Sequence, residues 1–171
     1  MALTVVSAAA VVPGCLSRAI KETASVATGA KGVVAEVQAP GSLAPYTTFE
    51  LGQFSDGMGG QIPKDLWTYL PGKFAEHLAD RKLAGLTGGK ALVLRGTIVH
   101  YEGEGLAGLL WGNFEEVIAR VEMVDKRTKA VMGVANCIGR STTTARKGVE
   151  NKADGLAKSL VSWIEKHHPR R

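Results

Sequence analysis

Few side chains in this sequence stand at spacings that could do chemistry, and each set lacks a partner its chemistry needs. Histidines occur at His77, His100, His167 and His168. A zinc site draws on H-x-x-x-H, HExxH or CxxC spacing, and none of these is present. Glu102 with Glu104, and Glu115 with Glu116, are carboxylate pairs that could divide into acid and base if a cleft split their pKa values. Adjacent strand residues point to opposite faces, however, which separates Glu115 from Glu116. Ser141-Thr142-Thr143-Thr144 offers hydroxyls without a base at recognisable spacing, and GxSxG is absent. Asn136-Cys137 with His100 has the residue types of a Cys–His site, but Cys137 stands in an apolar strand-like run that suits an inert buried thiol. The run Gly103-Glu104-Gly105-Leu106-Ala107-Gly108 joins two strand-like runs and matches neither a dinucleotide fingerprint nor GxxxxGK[ST]. The residues therefore assign no catalytic group, no cofactor and no metal. The alternative is a small soluble enzyme or nucleotide-binding protein in which a pocket gathers two or more of His77, His100, Glu102, Glu115 and Glu116.

Surface chemistry offers other candidates. Leu106, Leu109, Leu110 and Trp111 form an apolar cluster in a glycine-rich connection. Such a cluster marks a partner or membrane contact, or else folds back as core. The chain carries a formal net charge of +5, with basic groups at Lys126, Arg127 and Lys129 and at the terminal Lys166-His167-His168-Pro169-Arg170-Arg171. These suit either an anionic surface or solvated turns and tails. Aromatics make up only 6% and do not interleave with the basic residues, so no nucleic-acid partner is expected.

The elements that must position these groups centre on Lys90 to Gly139. Leu92 to Tyr101 is apolar on both parities, which predicts a strand covered on both faces and central in its sheet. Val117, Ala119, Val121 and Met123 share one parity against Arg120 and Glu122 on the other, a strand with one buried face. Asp125-Lys126-Arg127-Thr128 is a polar turn, and Ala130 to Ile138 returns as a third strand. These three runs predict an antiparallel meander. Before them, Tyr46 to Phe54 alternates as a strand, with Gly52 as a bulge or point of close approach. Lys64 to Leu70 makes a helical turn, and Pro71 suits the first position of a helix running to about Lys82. At the end, Gly148 to His168 carries a stripe of Val149, Ala153, Leu156, Leu160, Trp163 and His167, the spacing of an amphipathic helix. Gly155 counts against it by about 1 kcal/mol of helix propensity. The fold class is α+β: an antiparallel or mixed sheet of about four or five strands, ordered strand-helix-strand-strand-strand-helix, with two helices packed on one face.

The N-terminal part reads differently. Met1 to Gly14 is uncharged, rich in Ala and Val, and shorter than the about 20 apolar residues of a membrane-spanning helix. Its length matches the apolar region of a signal peptide, and Val12-Pro13-Gly14-Cys15 resembles a lipobox, which makes Cys15 the candidate lipidation site. No Lys or Arg precedes the run, and Pro13 replaces the usual small residue; the alternative is an irregular apolar segment or short buried helix. A lipidated Cys15 leaves Cys137 unpaired, as suits a buried strand cysteine, and a Cys15–Cys137 disulfide is the alternative pairing the sequence permits. Leu16 to Pro45 has few large side chains and frequent Gly and Pro. It reads as a tether with a short extended piece at Gly32 to Val37. The division is 1–15 as a signal-like segment, 16–45 as tether and 46–168 as one α+β domain.

LVLRGTIVHY at Leu92 to Tyr101, EVIARVEMVDKRTKAVMG at Glu116 to Gly133, YTTFELGQF and GLAKSLVSWI together resemble a family of small bacterial lipoproteins built on a domain of unknown function, the DUF4410 type. The likeness spans Tyr46 to Ile164, and Lys129 stands where that pattern often closes its turn with Gly. The architecture it implies also resembles the periplasmic domain of curli-secretion-type lipoproteins and the N-terminal α/β domain of the Tol–Pal translocation protein. The resemblance implies an envelope protein with a binding or assembly role and no catalytic residues. It also implies a lipid anchor at Cys15 on the periplasmic face of the outer membrane. Leu16, not Asp, after the cysteine is similar to the outer-membrane sorting signal. Envelope proteins or further copies of the chain are the expected partners.

Overall fold

The computed structural model describes residues 30–102, 115–141 and 148–169. The elements are β1 (Ala30–Gln38), β2 (Tyr46–Asp56), α1 (Lys64–Asp80), β3 (Lys90–Tyr101), β4 (Glu115–Asp125), β5 (Val131–Ser141) and α2 (Gly148–His167). The strands lie in the order β1-β5-β4-β3-β2. β3, β4 and β5 form the expected antiparallel meander, β1 pairs antiparallel with β5, and β2 joins β3 in parallel by way of α1. The result is the expected α+β class with a five-stranded mixed sheet.

Alternation decides which face is covered. Val117, Ala119, Val121 and Met123 of the central β4 are fully buried, as are Leu92, Leu94 and Ile98 of β3. They form one core with Leu66, Leu70, Phe74 and Leu78 of α1 and with Leu156, Leu160, Trp163 and Ile164 of α2. Each large apolar side chain so buried contributes about 1.5–3 kcal/mol. Both helices therefore cover the same face, and no described element covers the other, the open face.

Three expectations are corrected. β3 is not covered on both faces: Arg95 and His100 are exposed on its open side, and Val99, at a register shift between Ile98 and His100, is 50% exposed. Its apolar residues on the second parity belong to an uncovered face rather than to a second helical layer. Residues 30–45 are not tether. β1 pairs in register with β5 from Ala30↔Ser141 to Glu36↔Ala135, Leu43 is fully buried, and its amide donates to the His167 carbonyl at 3.0 Å. Ladder pairing and docking of α2 supply the ordering energy that the segment's own small side chains lack. Finally, α1 begins at Lys64 and takes Pro71 into its interior. The lost backbone hydrogen bond is tolerated because Leu66, Leu70, Phe74 and Leu78 make one continuous buried stripe across the proline.

The helical glycine is explained by the sheet beneath it. A Cβ on Gly155 would lie 2.8 Å from the Lys31 carbonyl oxygen and 2.9 Å from the Arg140 amide nitrogen. One on Gly139 of β5 would lie 2.3 Å from the Leu156 nitrogen, and one on Gly32 of β1 would lie 2.4 Å from the Ser159 nitrogen. Three glycines thus let α2 settle almost backbone to backbone on β1 and β5. At the β4–β5 turn, Asp125 Oδ1 accepts from the amides of Arg127 at 3.0 Å and Thr128 at 2.8 Å. Lys129 closes that turn at φ 63°, the left-handed conformation usually given to glycine. Among the described residues, no helix is long and apolar enough to cross a membrane.

Candidate functional site

The titratable side chains fall into separate structural pairs. His77 of α1 bonds through Nε2 to Asp154 Oδ1 of α2 at 2.6 Å, and its Nδ1 lies 3.9 Å from Asp80 Oδ2. Asp154 also accepts from Lys158 Nζ at 2.8 Å. Burial pushes the Asp154 carboxyl up, but the hydrogen bonds from His77 and Lys158 outweigh it and hold the group at about 2. With a carboxylate at each ring nitrogen, His77 serves as a staple between the two helices.

Glu115 and Glu116 point to opposite faces, as strand geometry requires. Glu116 meets Arg140 Nε at 3.1 Å on the open side, while Glu115 Oε2 lies 2.7 Å from Lys152 Nζ on the helix side. His100 is on the open face and Cys137 is fully buried under α2, so the two sides of the sheet separate the Cys–His combination. Burial pushes the Cys137 thiol up to about 12, against a hydrogen bond from Ser159. The amide of Glu102 donates to the Glu116 carbonyl and continues the sheet. A cleft of about 470 Å³ at the C-terminal ends of the helices is lined by Arg81, Lys82, Leu86, Glu165 and His168, and includes none of the five groups named for an enzyme site. Among the described residues, no cluster of three or more His, Cys, Asp or Glu could hold a metal ion. Cys15, Leu106, Leu109, Leu110 and Trp111, with Thr142 to Thr144, lie outside the described residues.

Two clusters escaped the sequence reading. Lys152 is fully buried, with Nζ 4.6 Å from the centre of the Tyr101 ring as well as beside Glu115. Its signal was its place on the helix, four residues before Leu156 and three after Val149, on the apolar stripe. Glu36 of β1 gathers Trp163 Nε1 at 3.0 Å, Lys166 Nζ at 2.8 Å and His167 Nε2 at 2.5 Å. The hydrogen bonds from Lys166 and His167 hold its carboxyl below the usual range. Nothing local marks Glu36, because all three donors come from the far end of the chain.

The Lys152 cluster sits at one pole of the domain. Ala30, Ser141 and Glu115 lie in register across β1, β5 and β4. Tyr101 stands opposite Val117 beside them, and α2 opens at Gly148 with Lys152 in its first turns. The chain segments leading from Cys15, into and out of Leu106 to Trp111, and between β5 and α2 therefore all join the domain at this pole.

No family model matches the chain, and no curated protein matches it. Solved structures do. A dodecameric PelC variant from Paraburkholderia phytofirmans is similar with a TM-score of 0.54 and 17% identity, over 78% of this chain and 97% of that one. A second PelC dodecamer from the same organism has a TM-score of 0.48 at 12% identity, over 81% and 99%. A candidate lipoprotein from Caulobacter crescentus CB15 has 0.39 at 12%, over 72% and 95%. At 17% identity the PelC likeness is one of fold.

Proposed function

We propose that this chain is a bacterial envelope lipoprotein whose α+β domain is a non-catalytic binding and assembly module. Cys15 carries the lipid on the periplasmic face of the outer membrane, and Leu106, Leu109, Leu110 and Trp111 make the contact with a partner or with the bilayer. The observation that supports it is the shared pole: the routes to Cys15 and to that apolar cluster leave from Ala30 on one side and from Tyr101 and Glu115 on the other. Fully extended, the chain from Cys15 to Ala30 reaches at most about 50 Å. Attachment at that pole sets the limit on how far the domain stands from the membrane and leaves the sheet and helices accessible from the periplasm. The PelC neighbour is a dodecamer, and self-association belongs to the same reading. The expected partners are envelope proteins or copies of the chain, without nucleic acid.

Palmitate labelling of the tagged full-length chain and of Cys15→Ser in a Gram-negative host, followed by membrane fractionation, tests the proposal. Label and membrane association that vanish with the serine are the expected result. An unlabelled chain in the cytoplasmic fraction would remove the lipoprotein reading.

A further inference from the structure

The two edges of the sheet differ in how they are guarded. β2 carries register shifts between Tyr46 and Thr48 and between Leu51 and Phe54, and its exposed positions include Thr48, Gln53, Ser55 and Asp56. Bulges and polar side chains of this kind keep an edge from pairing. β1 shifts register only at its far end, between Glu36 and Gln38, keeps an unbroken register from Ala30 to Glu36, and has no charge in its run Gly32-Val33-Val34-Ala35. Glu36, the acidic group that could guard it, is turned onto the helix side and held there by Trp163, Lys166 and His167. Lys158 Nζ lies 3.4 Å from the carbonyl of Ala30, at the start of the strand.

The open face of the sheet has the same bias. Val33, Ile138 and Ile118 form a half-buried apolar row across β1, β5 and β4, lying between the Glu116–Arg140 pair and the Arg120–Asn136 pair, with Ala35 beside it on β1. Towards β2 the face turns to ion pairs and hydroxyls, with Arg95–Glu122, Ser55–Thr97 and Lys126–Glu50. The apolar strip therefore runs to the β1 edge and stops there.

The geometry points to β1 as a self-pairing edge: two copies of this chain join antiparallel along Lys31 to Ala35 across a two-fold axis at Val33, making one sheet of both domains. Such pairing sets Val33 beside its own copy and Ala35 opposite Lys31. That is harmless for Val33 and Ala35, where a charged edge would repel itself. Pairing also makes the two apolar strips continuous. The inference deepens the assembly role proposed above by naming its surface, and its test is independent of lipidation.

The full chain carrying Cys15→Ser, which removes any acyl-driven association, is followed by sedimentation over a concentration series and by hydrogen exchange of its backbone amides. The expected result is a monomer–dimer equilibrium in which amides of Lys31 to Ala35 gain protection with concentration while those of β2 do not. Ala35→Lys, at an exposed open-face position, should abolish the dimer with the melting transition retained. A monomer at every concentration would overturn the proposal, as would protection of β1 that ignores dilution, since the chain's own N-terminal segment would then cover the edge. Protection of both edges together means head-to-tail assembly and overturns it too, as does a dimer indifferent to Ala35→Lys. If Ala35→Lys does not fold, the exchange pattern of the parent decides.

Discussion

The Tyr46 hydroxyl donates to Asp125 Oδ2 at 2.9 Å and ties the first residue of β2 to the last residue of β4 across the intervening β3. The other carboxyl oxygen is held by the turn amides. Asp125 therefore fastens the hairpin turn and the parallel edge strand together. The Thr128 amide, outweighing burial and aided by the Tyr46 hydroxyl, holds this carboxyl at about 2.

Asp125 and Asp154 make the domain less stable in acid. Each is held at about 2 in the fold against 3.8 as the ordinary value. The unfolded chain binds these protons more readily, so their stabilisation is complete above about pH 5 and drains away as the pH falls towards 2. Urea midpoints at pH 5, 3 and 2 should fall in that order. In Asp125→Asn with Asp154→Asn, the midpoint should start lower and depend less on pH.

Two helical glycines should respond to alanine with opposite sign. Gly72 in α1 has open space around the position of a Cβ, so Gly72→Ala should raise stability by about 0.5–1 kcal/mol. Gly155→Ala drives a methyl against Lys31 and Arg140 backbone and should lower it by about 1–3 kcal/mol. Chemical denaturation of both variants measures the contrast. Two shifts of the same sign would refute the close helix–sheet contact.

Lys152 makes the buried pole depend on Glu115. Lys152→Met alone leaves that carboxylate without its counter-charge and should cost about 2–3 kcal/mol, at or below the foot of the usual range because Glu115 keeps some exposure. Lys152→Met with Glu115→Leu should recover most of the loss. A double variant no better than the single would show that packing of the lysine stem, and not the pair, carries the energy.

Cys137 should be silent. Its thiol is fully buried and raised to about 12, so in Cys15→Ser a thiol reagent at pH 8 should label nothing in the folded chain and one group in guanidinium.

The local signals in this sequence were strong where one element reports on itself. The parity of Val117 to Met123 marks a strand with one buried face, as found, although the middle place in the sheet, expected of Leu92 to Tyr101, belongs to this strand instead. Leu70, Phe74 and Leu78 identified the α1 stripe. The Asp125 turn and the docking face of α2 were legible for the same reason. What failed were properties set by distant residues. β1 looked like tether because its stability comes from β5 and from α2. Gly155 looked like a defect because the backbone it must admit belongs to Lys31 and Arg140. The apolar second parity of β3 looked like deep burial, when the face it lines is the open one. For the candidate site, Glu115 and Glu116 were correctly separated by alternation, whereas Glu36 and Lys152 are defined by partners from other elements.

The pairing of β1 with β5 also governs how the domain can be made. During synthesis β1 leaves the ribosome ahead of every other strand, yet the strand it needs is the last one out, and the helix that docks on both comes later still. Such a non-local ladder closes slowly, because the intervening chain must be gathered first. A chain stopped after Thr128 would hold β2, α1, β3 and β4 but give β1 nothing to pair with. Completion of the C-terminus therefore releases the fold, and a chain threaded through a membrane from its N-terminus would stay open until its end had followed.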